Sequence, residues 1–389
     1  MKLSFRIALL SLAVTASFAP MLAAPAVKLL MSDFPGTDPL LIQWVVTLSS
    51  IFILPTLFAV PYLSGRFSRK SILIFGLVVY IVGGIGPSFV NSVGWILVFR
   101  AILGLSIGLV APTFNALIAE NFQGQERAKM MGRVTAVNGI GGAVFLSIGG
   151  FIASFGWRSV FLSYLYAVVL LILALLFIPR VKPAPRKTGA PAGKLPPKFY
   201  GIALLSGLHV MLYFTIPTSL PLFLSENGIG TAQAVGYFTA VSLISIFIAG
   251  LVFPLLTRLL RGAVVPLGLL LYGLGFLLVG AAHSVTSVGI AVFLIGFGQG
   301  IFFPLSFSKT AEAVPRDRIT GGITVLLANI YVFQFLCPVF MNGVQKLLRF
   351  SASREMYLFL AAAMGVCVIV SLLIVGRGRA KQRSAAEAS

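Results

Sequence analysis

The sequence predicts an all-α membrane protein with twelve transmembrane helices in two pseudo-symmetric bundles of six. The first observation is composition: 58% of the 389 residues are hydrophobic and only 10% are charged, whereas soluble domains average about 25% charged residues. The second is that apolar segments of roughly 20 residues, the length that crosses the hydrocarbon core of a bilayer, recur along the whole chain. The third is that the chain matches itself at an offset of 192 residues.

Hydropathy and helix-breaking residues place the helices in order along the chain. The expected spans are near 5–28, 41–64, 71–90, 94–119, 132–155, 158–178, 199–224, 232–256, 264–283, 286–309, 321–345 and 355–376. Residues 1–26 also have the basic start, apolar middle and small-residue end of a cleavable signal peptide. Cleavage would leave eleven spans and invert the charge pattern described next, so a first helix is the favoured interpretation.

Positive charge is concentrated in alternate loops. If the N-terminus is cytoplasmic, 23 of the 29 lysines and arginines lie on the cytoplasmic side, as the positive-inside rule requires. We therefore expect a multi-pass protein of a bacterial cytoplasmic (inner) membrane with both termini in the cytoplasm. Topology accounts for the net charge of +20, so the expected partners are the lipid bilayer and a small-molecule substrate, with no nucleic acid, and the chain is expected to function as a monomer.

The internal match extends without a gap over helices one to four and seven to ten. The matched pairs include Pro25 and Pro217, Thr47 and Thr239, Ser50 and Ser242, Arg66 and Arg258, Arg69 and Arg261, Gly76 and Gly268, Tyr80 and Tyr272, Gly104 and Gly296, Gly108 and Gly300, Pro112 and Pro304, and Glu120 and Glu312. A repeat in the same orientation in both halves predicts two parallel bundles. The expected domains are residues 1–179 and 199–376, with a Pro- and Lys-rich cytoplasmic linker at 180–198 and a tail at 377–389.

Three sequence motifs carry a family resemblance. They are "PYLSGRFSRK" from Pro61 to Lys70, "RAILGLSIGLVAP" from Arg100 to Pro112, and "GWRSVF" from Gly156. They resemble signatures of the major facilitator superfamily in the loop between helices two and three, in helix four and at the start of helix six. The resemblance implies the fold of secondary transporters in which the solute binds between two six-helix halves near the bilayer midplane.

The loop motif and its repeat are expected to act in conformational change. Arg66, Arg69 and Lys70 match the family pattern, while Gly65 stands where that pattern has Asp. The second half supplies Arg258 and Arg261. We expect Glu120 and Glu312, at the inner ends of helices four and ten, to pair with loop cations such as Arg66 or Arg258 and to latch the cytoplasmic side.

Helix five resembles the antiporter signature in part. "GIGGAVFLSIGG" from Gly139 to Gly150 has the closing glycine pair but not the Gly-Pro that precedes such a pair in the family. The resemblance therefore favours export without establishing it.

Charged residues inside the predicted helices are few. An arginine in a membrane helix costs about 2.5–3.5 kcal/mol on insertion scales, so Arg100 in helix four is a candidate functional residue. Its alternative is to extend toward the interface, but Gly104 and Gly108 recur on its helix face, which indicates that it points into the bundle. All nine acidic residues lie at helix ends, in loops or in the tail. If transport is coupled to protons, we expect His209 or the neighbourhood of Arg100 to carry them, and a neutral or anionic solute is favoured over a strong cation.

Polar residues in the expected cavity-forming helices are candidates for substrate binding or coupling. They are Arg100, Asn138, His209, Tyr213, Gln299, Asn329 and Gln334. For each of them, hydrogen bonding between helices is the alternative role. No metal ligand cluster is expected.

The expected function is secondary active transport of a small amphipathic solute by alternating access, with proton-coupled efflux favoured. An uptake facilitator or symporter and a non-transporting sensor are the alternatives. The chain has no phosphate-binding GxxxxGK[ST] loop and no pairing of a nucleophile with a base, so neither an ATP-driven pump nor an enzyme is expected. No cofactor is expected apart from the coupling proton.

Overall fold

The computed structural model describes residues 3–17, 19–179, 195–315 and 318–387, and every regular element among these residues is helical. Most of the predicted linker, from Arg180 to Lys194, lies outside the described residues. The all-α fold class predicted from composition is confirmed.

Ten helices of the described chain are long and apolar enough to span a membrane. They are α2 Pro39–Leu63, α3 Arg69–Phe89, α4 Val93–Asn121, α5 Gly124–Phe155, α6 Trp157–Phe177, α7 Pro197–Thr218, α8 Ala232–Leu260, α10 Val285–Ala313, α11 Gly321–Leu347 and α12 Ser353–Arg377. Two shorter apolar helices, α1a Leu3–Leu12 and α9 Val264–Gly280, stand at the positions of the first and ninth predicted spans. The structure therefore gives ten spans of full length where the sequence predicts twelve.

The first predicted helix is interrupted, which corrects the continuous span expected at 5–28. After α1a the backbone passes through a short helical turn and a 3-10 turn at Met21–Ala23, and then forms α1b, Ala24–Asp33. Pro20 and Pro25 lie in this region. Proline has no N–H and clashes with the carbonyl one turn earlier, so the break leaves backbone carbonyls in need of donors.

A second correction concerns α7, which ends at Thr218, short of the predicted end near residue 224. A separate helix, Leu220–Glu226, follows Ser219. Pro217 and Pro221 flank this junction, and each removes a backbone donor.

The duplicated glycines make the same contacts in both halves. A Cβ atom at Gly104 or Gly108 of α4 would collide with backbone atoms of α2. A Cβ atom at Gly296 or Gly300 of α10 would lie 2.6 Å from the carbonyl oxygen of Ser242 or Ile246 in α8. Small residues allow helix backbones to approach closely in membranes, so the repeat preserves this packing of α4 on α2 and of α10 on α8.

The two ends of the bundle differ in charge and in contacts. The end that carries Arg6, Arg66, Arg69, Arg127 and Arg258 is named the basic end, and the other is named the opposite end. We name α1–α6 the first half and α7–α12 the second half. The described hydrogen bonds between the halves lie from the middle of the bundle to the opposite end. The described ion pairs lie at the basic end, and each joins residues of one half.

Close packing joins the halves near the opposite end. A Cβ atom at Gly150 of α5 would lie 2.8 Å from the Gln233 carbonyl oxygen and 2.9 Å from the Gly236 Cα atom in α8. A Cβ atom at Gly236 would lie 2.8 Å from the Gly150 nitrogen and from the Leu146 carbonyl oxygen. The two helices therefore touch backbone to backbone, and this end of the bundle is closed.

Candidate functional site

Arg100 is completely buried in the first half and donates to three different segments. Its Nε donates to the Val45 carbonyl of α2 at 2.6 Å, and its Nη2 donates to the Pro20 carbonyl at 3.2 Å. Its Nη1 donates to the Tyr164 hydroxyl of α6 at 2.9 Å. The side chain points into the bundle, so the alternative in which it extends to the interface is wrong.

The break in the first helix explains this arrangement. Tyr164 donates its hydroxyl to the Ala19 carbonyl, beside the Pro20 carbonyl that Arg100 binds. A guanidinium group carries five N–H donors in a plane and no acceptor, which suits a segment with carbonyls freed by proline. Arg100 thus ties the interrupted segment of α1 to α2, α4 and α6, and its described partners are all neutral.

A tyrosine cluster continues from Arg100. The Tyr80 hydroxyl of α3 forms a hydrogen bond with the Tyr166 hydroxyl of α6. The Tyr80 and Tyr164 rings lie 6.0 Å apart between centroids. Tyr80 matches Tyr272 in the internal repeat, and Tyr272 belongs to a second polar cluster.

The second cluster is centred on His209 of α7. The His209 Nδ1 atom lies 2.8 Å from Gln299 Oε1, and its Nε2 atom lies 3.1 Å from Ser306 Oγ. The Tyr272 hydroxyl donates to the same Gln299 oxygen at 2.8 Å. The Phe302 ring stacks on the imidazole at 5.4 Å. His209 is buried, so α7, α9 and α10 enclose an imidazole whose two nitrogens both have polar partners.

Hydrogen-bond chemistry limits the state of this imidazole. The carboxamide oxygen of Gln299 only accepts, so Nδ1 carries a hydrogen and, in the neutral ring, Nε2 accepts from the Ser306 hydroxyl. The Ser306 oxygen also lies 2.9 Å from the Phe302 carbonyl, which can take its hydrogen instead. Rotation of one hydroxyl therefore lets Nε2 hold a proton and donate to Ser306.

Tyr213 lies one turn beyond His209 and faces the boundary between the halves. Its hydroxyl forms a 2.9 Å hydrogen bond with the Ser242 hydroxyl of α8. It also lies 4.0 Å from the Met21 sulfur, within the interrupted segment of α1. The predicted candidates His209, Tyr213 and Gln299 are thus brought into one region of the second half.

Gln334 belongs to a set of hydrogen bonds that joins the halves. Its Oε1 accepts from the Ser50 hydroxyl of α2 at 3.0 Å. Toward the opposite end, Gln43 of α2 donates to the Thr218 carbonyl at 3.3 Å and accepts from Asn342 at 2.6 Å. We name Gln43, Ser50, Thr218, Gln334 and Asn342 the amide latch. These contacts hold α2 against α7 and α11 without charged groups.

The two remaining predicted asparagines occupy separate places. Asn329 of α11 donates to the Ala203 carbonyl of α7 at 2.6 Å, which is a contact within the second half. Asn138 lies in a π-helical turn, Val137–Gly141, inside α5, and its Oδ1 atom is buried without a hydrogen-bond partner among the described residues. Such single-turn π segments are frequent at functional sites.

The predicted loop residues lie at the basic end. Arg69 pairs with Glu120 at 2.9 Å, and Arg66 lies over the Tyr62 ring at 4.5 Å. Lys70 donates to the Leu175 carbonyl at 2.7 Å. In this structure Glu120 therefore pairs with Arg69 and not with Arg66.

The repeated loop of the second half makes different contacts. Glu312 pairs with Lys309 at 2.7 Å and not with Arg258, which is exposed. The side chain of Arg261 lies outside the described set. The latch of the cytoplasmic side by Glu120 and Glu312 thus stays a prediction.

Several residues that complete these clusters are not among the candidates predicted from the sequence. Tyr164, Tyr272, Ser306 and Asn342 are partners of selected residues. The internal repeat offers a signal for Tyr272, because it matches Tyr80 at the offset of 192. Serine and tyrosine in apolar helices give no other distinctive pattern.

The long helices are apolar, and their few polar side chains contact one another inside the bundle. These are the features of a multi-pass α-helical membrane protein. The chain belongs to the Major Facilitator Superfamily, whose family profile matches residues 9–336. The resemblance read from the loop and helix-four motifs is thereby confirmed.

Individual relatives agree with this family. The chain is 29% identical over 329 residues to the "Uncharacterized MFS-type transporter YceJ" of Bacillus subtilis (strain 168), covering 80% of this chain and 81% of that protein. It is 22% identical to the "Multidrug transporter protein MdtP" of the same strain, over 77% of this chain and 67% of that protein. A 30% match to the "Arabinose-proton symporter" of Escherichia coli (strain K12) spans 140 residues, 35% of this chain and 29% of that protein.

Solved structures show the same fold. The crystal structure of a peptide transporter POT in complex with sulfate superposes with a TM-score of 0.74 at 13% sequence identity, covering 96% of this chain and 94% of that one. At this level of identity the match establishes the architecture.

Proposed function

We propose that the chain is a proton-coupled secondary transporter that exports a small amphipathic solute, neutral or anionic, by alternating access. The proposal rests chiefly on the His209 cluster. The imidazole in this cluster is buried and titratable, and Gln299 and Ser306 can form hydrogen bonds with both its neutral and its protonated form. It acts in a bacterial inner membrane as a monomer with both termini in the cytoplasm, and needs no cofactor and carries out no chemistry on its solute.

The charges of the polar clusters support the solute class. Arg100 and His209 have only neutral described partners, and the described acidic side chains of the protein lie toward the ends of the bundle. A fixed guanidinium group in a medium of low dielectric constant raises the potential for cations over several ångströms. A permanent cation is therefore disfavoured near these clusters, whereas a neutral or anionic solute is tolerated.

Burial supplies a physical reason for coupling. A charge without a counter-charge is costly in an apolar interior, so protonation of the buried His209 destabilises the packing around it. The balance shifts toward a conformation that hydrates the site or brings an anionic group near it. Tyr213 lies one turn from His209 at the boundary between the halves. A rearrangement around His209 would therefore be transmitted to the contact between the two halves.

Two observations favour export over uptake. The multidrug relative aligns with 77% of this chain, whereas the arabinose-proton symporter aligns with only 35%. The closing glycines of the helix-five motif also include Gly150, which contacts Gly236 across the halves at the closed end. A closed opposite end with separate ion pairs at the basic end fits a state that loads solute from the cytoplasm.

The first prediction tests the role of His209. Purified protein is reconstituted into vesicles, and uptake of a small fluorescent anion into inverted vesicles is measured under an imposed pH gradient. The His209→Gln variant keeps polar contacts toward Gln299 and Ser306 but cannot take up a proton at physiological pH. We expect it to lose the acceleration by the gradient while still exchanging solute at equilibrium.

The exposed His283 provides the matched control. His283→Gln is expected to transport like the parent protein. Full gradient-driven uptake by His209→Gln would contradict the proton role, and robust export of a quaternary ammonium dye would contradict the solute class.

Uptake and sensing are the competing functions. A symporter would accumulate the anion when the gradient runs in the opposite direction, so reversing the gradient distinguishes uptake from export. A transporter-like sensor would show ligand-dependent thermal stabilisation without flux in the same vesicles.

A further inference from the structure

A shallow groove follows the outer face of α3 at the basic end of the bundle. Its volume is about 550 Å³, and its lining consists of Lys70, Ser71, Ile74, Phe75 and Val78. These positions follow one face of a helix with 3.6 residues per turn. The groove is therefore polar in the first turn of α3 and apolar toward the middle of the membrane.

Lys70 is fixed at the polar end of this groove. Its ammonium group donates to the Leu175 carbonyl, in the last turn of α6, at 2.7 Å. An ammonium group has three donors, so two of them are left for another acceptor. The neighbouring Arg69 is paired with Glu120, whereas the described contact of Lys70 is with a neutral carbonyl.

The apolar part of the groove opens to the outside of the bundle. The exposed fraction is 63% for Phe75 and 44% for Val78, and on the neighbouring helix α6 it is 69% for Leu176. Phe75 and Val78 follow Lys70 along α3 toward the middle of the bundle, while Leu176 directly follows Leu175, whose carbonyl binds Lys70. The groove thus has one cation at the basic end and apolar side chains along the rest of its length.

We propose that this groove binds an anionic glycerophospholipid of the leaflet at the basic end. The lipid phosphate accepts hydrogen bonds from the Lys70 ammonium group, and one acyl chain lies along Ile74, Phe75 and Val78. Charge complementarity selects an anionic over a zwitterionic headgroup, because Lys70 has no described carboxylate partner to neutralise it. The lipid joins the ends of α3 and α6 from outside the solute path, so this site is independent of the transport function.

The second half of the chain contains a natural control. At the repeat offset of 192, Gly262 matches Lys70, Leu267 matches Phe75 and Leu270 matches Val78. Gly262 lies in the 3-10 turn Arg261–Ala263 just before α9, so the equivalent position has no lysine, and the face of α9 that follows it is apolar. A lipid that is held by apolar packing alone should bind both faces equally, whereas a lipid held by charge should prefer α3.

The experiment places one tryptophan reporter on each face, Phe75→Trp or Leu267→Trp, in the full-length protein. Each variant is reconstituted into phosphatidylcholine vesicles that contain brominated phosphatidylglycerol or brominated phosphatidylcholine, and quenching is measured as the difference from the parent protein. We expect the Phe75→Trp reporter to prefer phosphatidylglycerol about fivefold, the factor that a surface lysine gives. The Leu267→Trp reporter should show a ratio of about one.

Changes at the cation test the assignment directly. Lys70→Met should reduce the preference at the Phe75→Trp reporter to about one, and Lys70→Arg should retain it. Gly262→Lys, which leaves α3 untouched, should create a preference at the Leu267→Trp reporter. Equal ratios at the two reporters, a preference that survives Lys70→Met, or no gain from Gly262→Lys would overturn the proposal.

Discussion

At the scale of single residues, the buried side chains of Arg100 and His209 are solvated in different ways. Arg100 is always charged, and carbonyl oxygens together with one hydroxyl take the place of water around it. His209 has one partner that only accepts and one that donates or accepts. The arginine site is thus suited to a permanent charge, and the histidine site to a charge that appears and disappears.

Tyr164→Phe tests the structural role of the Arg100 cluster. The substitution removes the acceptor of the Arg100 Nη1 group and the donor to the Ala19 carbonyl. Leaving buried polar groups unpaired costs about 1–3 kcal/mol for each group, so we expect a clear fall in the thermal unfolding temperature in detergent. The exposed Tyr237, whose hydroxyl accepts from Gln233, serves as control, and an equal effect of Tyr237→Phe would count against a specific role for Tyr164.

The sequence identifies some members of these clusters and misses others for a physical reason. His209 and Tyr213 are four residues apart, so helical periodicity places them on one face. Contact between His209 and Ser306 depends on how α7 and α10 are rotated against each other, and their sequences do not encode that rotation locally. Arg100 is recognisable as a buried cation, but its contact with the Pro20 carbonyl depends on the break in the first helix.

At the scale of helices, the sequence predicts the position of a helix well where a long apolar segment defines it. The ten full-length spans overlap predicted ones. The break in the first helix was missed because membrane helices tolerate proline, so Pro20 and Pro25 do not by themselves indicate an interruption. The junction at Ser219 in the predicted seventh helix was missed for the same reason.

The contact between α5 and α8 yields a prediction about conformational balance. Gly236→Ala places a methyl group against the Gly150 backbone and the Leu146 carbonyl. The closed opposite end is then strained, and we expect the population to shift toward a conformation open at that end. Gly250→Ala on the same helix is the matched control, because a Cβ atom there meets nothing within 4 Å.

Spin labels measure this shift. Ser32→Cys and Ser225→Cys place one label on each half at the opposite end, in a background with Cys337→Ser and Cys367→Ser. Gly236→Ala should lengthen the distance between the labels, and Gly250→Ala should leave it unchanged. An unaltered distance distribution in Gly236→Ala would show that the glycine contact does not limit opening.

At the scale of the whole molecule, the internal repeat predicts the packing better than it predicts the chemistry. Gly104 and Gly296 make equivalent helix contacts in the two halves. In contrast, the repeat counterpart of Arg100 is Val292 and that of Gln299 is Ile107. Glycine packing follows from backbone geometry shared by both halves, whereas each polar cluster needs side chains from several helices.

Loop charge predicts the orientation of the whole chain. A fluorescent protein fused after Ser389 should fluoresce, because both termini are expected in the cytoplasm. Alkaline phosphatase inserted after Ala282, in the loop between α9 and α10, should be active because this loop is expected in the periplasm. The reverse pattern of activities would require the basic end to face outward.

The matched tyrosines Tyr80 and Tyr272 show that the two halves of the molecule are chemically different. Each lies at the same position of its half, yet the first adjoins the tyrosine cluster around a permanent cation and the second serves an imidazole. A rotation that superposes one half on the other would match the helices but would not match the buried charges. The two halves are therefore alike in helix packing but unlike in charge, because the first encloses the Arg100 guanidinium group and the second encloses the His209 imidazole.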